Sequence, residues 1–289
     1  MTLPTSAPIA STRPVWLVSG ASSGIGLEVA IQAAKTATVV AIGRDQHGLE
    51  AAANAGCRTV QLDLRASADH VSSVITHVIE TAGRVDVLVN AAGYILEGAV
   101  EETSDAELED IFTTNVFAPV RLARAVLPHM RRSGTGVIFN VAGIGGFSGS
   151  PNAGAYCSSK AALATLTEAL QRETSPLGIR VCLVQLGHFK TAFLKAGHRL
   201  HTAHRIADYD PVLEPLRKAF NGLNGHQPGD PVKAAKVLVH IASLGADSIP
   251  TLLALGSDVI AAELSAHEAK RQLFLAHETW ANSTDLEGA

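Results

Sequence analysis

From Val15 onward the chain alternates short, almost wholly apolar runs with longer stretches in which apolar residues return every three or four positions. The short runs are VWLV (15–18), TVVAI (38–42), RTVQL (58–62), VDVLVN (85–90), GVIFNV (136–141) and IRVCLVQL (179–186). Each is too short for a helix and rich in β-branched residues, which predicts strands. Between them, spacings such as Val71, Val74, Ile75 and Val78 predict amphipathic helices. Strands apolar on both faces and separated by helices make a parallel sheet covered on both sides. The segment 250–258 (PTLLALGSD) adds a further strand, followed by a long polar helix to about Trp280. The expectation is an α/β fold: a single doubly wound Rossmann-type domain over 14–289, with a mostly parallel seven-stranded sheet flanked by helices and ligands held at the carboxyl ends of the strands. No internal repeat or linker divides it.

Two segments break the pattern. Residues 1–13, rich in Thr, Ser and Pro without a sustained apolar stretch, read as a flexible arm and not a signal peptide. Residues 190–228 contain Pro211, Pro215 and Pro228 and four of the twelve histidines, and read as a long polar lid over a substrate. His198, His201 and His204 lie close enough in sequence to raise a metal site. No carboxylate or cysteine at ligand spacing supports one, and no metal is expected.

Composition narrows the function. Hydrophobic residues make up 47% and charged residues 17%, ample for a buried core. A net charge of -4 without a basic run gives no footprint for nucleic acid. No apolar run approaches the ~20 residues that cross a bilayer, so no membrane association is expected. Cys57, Cys157 and Cys182, odd in number and widely spaced, suit a reduced, cytoplasmic protein. Cys157 adjoins Tyr156, but no histidine in sequence activates it as a nucleophile.

The first strand runs into VSGASSGIG (18–26), which sets Gly20, Gly24 and Gly26, with Ser22, Ser23 and Ile25 between them, at a strand-to-helix turn. Glycines there allow a tight bend and close approach of a pyrophosphate to a helix N-terminus. A carboxylate ending the second strand would hold the ribose hydroxyl of NAD. Here the chain reads AIGRD, with Gly43 at the strand end and Arg44 next, a fork of donors suited to the 2′-phosphate of NADP(H). The competing reading gives the acidic role to Asp45. Further on, Tyr156 and Lys160 share one helix face, a spacing at which an ammonium can favour the phenolate of an acid–base tyrosine.

Taken together, these motifs resemble the short-chain dehydrogenase/reductase family over nearly the whole chain. The glycine triplet, with Ser19 in the threonine place, Asp63 with Leu64, Asn90-Ala91-Ala92-Gly93, Asn115, Tyr156-x-x-x-Lys160, and Gly187 with Thr191 each match a family motif in register. The resemblance implies NADP(H) as cofactor, Asp63 near the adenine, Gly187 and Thr191 at the carboxamide, Lys160 on the nicotinamide ribose, and Asn115 holding a water that links Lys160 to solvent. It also implies a small-molecule substrate and a homodimer or homotetramer built through helices spanning roughly 104–131 and 155–176.

The chain departs from the family at Gly143. The family places a serine thirteen residues before the tyrosine to hold the substrate's carbonyl oxygen, and a Pro-Gly pair where this chain has Leu186-Gly187. The loss of one oxyanion donor typically costs about 10²–10³-fold in rate. Three readings stay open: an NADPH-dependent reductase of a carbonyl on a small hydrophobic substrate; a non-redox isomerase, dehydratase or cyclase that keeps the NADP site; and a nucleotide-binding regulator without turnover. His188, one residue past Gly187, is either a substitute donor or a partly exposed loop histidine.

Overall fold

In the computed structural model, which describes residues 13–245 and 248–286, the expected strands line up in a single parallel sheet. In chain order the elements are β1 (Val15–Ser19), α1 (Gly24–Ala33), β2 (Thr38–Gly43), α2 (Glu50–Asn54), β3 (Arg58–Gln61), α3 (Ala68–Ala82), β4 (Val87–Asn90) and β5 (Ile95–Glu97). Then follow α4 (Asp105–Phe112), α5 (Ala118–Ser133), β6 (Gly136–Gly143), α6 (Gly154–Thr174), β7 (Ile179–Leu186) and β8 (Arg199–His201). The last are α7 (Asp210–Leu223), α8 (Pro231–Ser243), β9 (Leu252–Leu255), α9 (Ser257–Ala276) and α10 (Glu278–Asn282). The seven-stranded sheet has the order β3-β2-β1-β4-β6-β7-β9, and each neighbouring pair is parallel.

The all-apolar strands are explained by two core layers. In β1, Trp16 and Val18 face the layer that contains Val29 and Ala30 of α1 and Leu238 of α8. Leu17 faces the opposite layer, with Val71 and Ile75 of α3 and Leu122 and Val126 of α5. Every position of β1 is therefore buried, as its unbroken apolar run requires. The order reverses between β1 and β4, which opens a crevice beyond their carboxyl ends.

Residues 1–12 of the expected arm lie outside the described residues. The C-terminal helix is interrupted at His277, which separates α9 from α10. The larger difference lies in 190–228. This segment is no featureless loop: β8 pairs in parallel with β5, and α7 runs for 14 residues. Its prolines hid the helix. Pro211 occupies the first turn, where the missing N–H costs nothing, and Leu213, Leu216, Phe220 and Leu223 keep helical spacing. No helix among the described residues is long and apolar enough to cross a membrane.

Candidate active site

Backbone shapes one end of the crevice. Gly20 has φ +68, and a Cβ on it would lie 2.6 Å from the Ala92 nitrogen, so β1 and the loop after β4 meet only because that atom is missing. A Cβ on Gly26 would lie 2.4 Å from the Gly20 carbonyl oxygen, which brings α1 tightly beneath the turn. The side chain of Ser23, at the N-cap, makes no capping hydrogen bond, so the first-turn N–H groups of α1 are left for a ligand. These residues open onto a cavity of about 570 Å³ that reaches Arg44, Asp63 and Leu64 on one side and Tyr156, Phe193 and Phe220 on the other.

At the far end Asp63 accepts from Arg65 Nη2 at 3.0 Å and from the Arg65 backbone N–H at 2.9 Å. Asp45 accepts from the backbone N–H groups of His47 and Gly48, at 3.3 and 3.1 Å, and is spent on its own turn.

In the middle of the cavity the start of α6 presents Tyr156 and Lys160. Lys160 is buried and donates from Nζ to the Val141 carbonyl oxygen at 2.9 Å. Gly93 gives it room: a Cβ there would lie 3.3 Å from Nζ and 3.1 Å from Asn115 Oδ1. Gly143 closes β6 in extended backbone, and its missing Cβ would lie 3.0 Å from Tyr156 Oη. A side chain at 143 would therefore address the phenol directly. Burial pushes the Tyr156 phenol above its ordinary pKa, with Cys157 adding to the rise, and draws the Lys160 ammonium down to about 8. Nζ is 6.0 Å from the ring centroid, and desolvation outweighs it.

Two assigned residues turn away from the cavity. Asn90 is buried and donates to Asn140 Oδ1 at 2.7 Å, while Asn140 donates to Thr167 Oγ1 at 2.9 Å; this ladder ties β4 to β6 and α6. Its role is structural, and the cavity wall there is Ala91, Ala92 and Gly93. Asn115 stands in a single π-helical turn, Thr113–Phe117, between α4 and α5. Its Oδ1 accepts from Tyr94 N–H at 3.2 Å, and Nδ2 donates to the Tyr94 carbonyl oxygen at 3.1 Å and to Ser159 Oγ at 3.0 Å. The side chain thereby positions the loop after β4.

Beyond β7 a Cβ on Gly187 would fall 1.8 Å from Asp258 Oδ1. Asp258 Oδ2 accepts from both the backbone N–H and Nδ1 of His188, each at 2.8 Å. His188 is therefore a partly exposed loop histidine that lines the cavity, its ring held at Nδ1 by Asp258. Thr191 lies against Gly24, where a Cβ would be 3.4 Å from its own. The three histidines weighed as metal ligands diverge: His198 approaches Ser23, His201 approaches Glu97, and His204 is exposed. Among the described residues no group of three or more potential metal ligands forms.

The apolar end had no sequence counterpart. Ile95 and the Tyr156, Phe193 and Phe220 rings pack together there, with the Tyr156 and Phe193 centroids 6.0 Å apart. Phe220 stands beneath Arg199, which forms a buried fork to Glu97 at 2.7 and 2.9 Å and donates to Asn221 Oδ1 at 2.6 Å. The helical spacing in α7 was the available signal for Phe220. Cys157 lines the same end, buried, with its thiol pushed up by burial.

A Rossmann crevice whose glycine turn leads to a buried Tyr–Lys pair defines a class of nucleotide-dependent enzymes, and the sequence comparisons agree. The model of the short chain dehydrogenase family matches residues 14–199, and the chain belongs to that family of oxidoreductases. It is similar to the 3-ketodihydrosphingosine reductase of Bacteroides thetaiotaomicron, with 37% identity over 203 residues, 70% of this chain and 74% of the relative. A short-chain dehydrogenase structure from Streptomyces avermitilis superposes with TM-score 0.86 at 35% identity, covering 94% of this chain and 100% of that one. A metagenomic short-chain oxidoreductase in complex with NADP gives 0.66 at 26% identity, covering 84% and 96%.

Proposed function

We propose that the protein is an NADPH-dependent reductase of a carbonyl group on a small hydrophobic substrate. The observation that carries this reading is the placement of Tyr156 Oη against Gly143, where the glycine-lined channel meets the apolar end of the cavity. A bound NADPH would supply the hydride. Tyr156, kept protonated by burial, donates its phenolic proton to the carbonyl oxygen as negative charge develops there. Lys160, on the next helical turn, holds a further proton behind it.

Three features favour the phosphorylated dinucleotide: Arg44 lines the cavity, Gly43 has no carboxylate, and Asp45 is occupied elsewhere. The NADP in the metagenomic relative and the ketone in the Bacteroides enzyme's name support the same reading. Self-association through α4–α6 belongs to the proposal too, because Leu108, Phe117 and Leu166 expose apolar surface along these helices. Sedimentation tests it.

The decisive assay supplies NADPH deuterated at the transferable position together with a panel of apolar ketones and aldehydes. Deuterium should appear on the carbinol carbon. Tyr156→Phe should cut kcat/KM by about 10²–10⁴-fold with cofactor affinity kept. Gly143→Ser, which adds a donor beside Oη, should raise it about tenfold. Solvent deuterium in the product without NADPH consumption would instead establish the non-redox reading that the bare Gly143 leaves available.

A further inference from the structure

We propose that His198 is a second ligand, beside Arg44, for the phosphate that distinguishes NADP(H) from NAD(H), and that it makes this preference depend on pH. The inference rests on the reading of the cavity as an NADP(H) site.

His198 belongs to the lid, immediately before β8, yet it serves the opposite end of the cavity. Its main chain is fixed: the N–H donates to the Lys195 carbonyl oxygen at 3.2 Å, and its carbonyl accepts from Ile95 N–H at 2.9 Å. The half-buried ring lines the cavity, with Nε2 3.3 Å from Ser23 Oγ, the residue whose side chain leaves α1 uncapped. Burial and the guanidinium of Arg44 together hold the imidazole below its ordinary pKa. Arg44, after β2, is the charge that bears on the ring; the glycine turn offers Ser23, and β5 offers Ile95, none of which titrates near neutrality.

The Asp63 carboxylate at this end is already paired with Arg65, and the Arg44 guanidinium and the His198 imidazole line the same cavity. A phosphomonoester, with its second pKa near ~6, is largely dianionic at neutral pH and would be gripped by both. Its charge reverses the balance at His198: binding raises the imidazole pKa, so the ring takes up a proton as NADP(H) enters. NAD(H) offers no such dianion and draws no proton there. The glycine turn and α1 alone cannot supply this behaviour, because neither titrates.

The test measures dissociation constants for NADPH and NADH by fluorescence titration between pH 6.5 and 8.5 at fixed ionic strength. The proteins are the unaltered chain, His198→Gln, His198→Arg and Arg44→Ala. The preference for NADPH should fall about tenfold across this range in the unaltered protein. It should be about tenfold weaker at pH 6.5 and nearly flat in His198→Gln, and retained but nearly flat in His198→Arg, while NADH affinity stays within about twofold throughout. Calorimetry in buffers of different ionisation enthalpy should show more proton uptake with NADPH than with NADH, and the excess should vanish in His198→Gln. A preference for NADPH that Arg44→Ala abolishes and His198→Gln leaves untouched, slope included, overturns this inference and spares the cofactor reading. Equal binding of NADPH and NADH, indifferent to Arg44→Ala, overturns both. Melting temperatures of the two His198 variants separate a lost ligand from a lost fold.

Discussion

The two ends of the cavity are built on opposite principles. At the dinucleotide end the wall is main chain. Gly20 and Gly26 let strand end, helix start and loop approach to distances that any side chain would forbid. At the apolar end the wall is side chains, Ile95, Phe193 and Phe220, carried partly by a lid that a buried ion pair, Arg199 with Glu97, fastens to β5. The first end is defined by atoms that are missing and tolerates almost no addition. The second is defined by packing around an anchor, and equivalent packing can replace it. A short-chain dehydrogenase can therefore keep one chemistry at the first end while the second adapts to its substrate.

The strongest test of this contrast is Gly20→Ala. The new Cβ would meet main-chain atoms at 2.6 to 2.8 Å in a left-handed backbone, and main chain cannot swing aside. Dinucleotide affinity should fall more than about a hundredfold in a fluorescence titration, with a lowered melting temperature. Unchanged binding would mean that the turn is not the cradle. The lid should answer differently. Arg199→Met removes the fork from buried Glu97, leaving it only His201 at 3.4 Å, and should cost about 3 kcal/mol in chemical denaturation. Adding Glu97→Leu should recover most of that loss, as no replacement at Gly20 can. In both variants the substrate KM should rise while NADH affinity holds. A matching loss of NADH affinity would erase the distinction between the two ends.

The same distinction explains what the sequence made readable. Gly20, Gly24 and Gly26 follow a strand and open a helix, so their spacing carries their geometry, and Tyr156 with Lys160 lies one helical turn apart. Asn90 and Asn115 fall in readable motifs too, yet their side chains point into the protein. A motif fixes position in the chain and leaves open which groups will take the hydrogen bonds, here Asn140, Tyr94 and Ser159. The lid was illegible for another reason. Glu97 and Arg199 are 102 residues apart, so no local pattern announces their pairing, and Pro211 and Pro215 mask the spacing of α7.

Where the two ends meet, Lys160 provides the smallest and most exacting measurement. Its amine donates to main chain, at Val141, and is enclosed by Gly93 on the nucleotide side and by α6, which also carries Tyr156. In the ligand-free protein burial lowers its pKa from 10.5 to about 8. Above pH 8 the unfolded chain therefore binds a proton that the folded chain has begun to release. Stability consequently rises with pH from about 8 towards 10.5 and is insensitive to this group below that window, where both states hold the proton. Between pH 8 and 9 the gain should be about 1 kcal/mol, read as the difference in denaturation free energy between the unaltered protein and Lys160→Met, which has no such proton to lose. A Lys160→Met variant with the same slope would show that the amine is solvated in the ligand-free state. The junction would then belong to the adaptable end of the cavity and not to the rigid one.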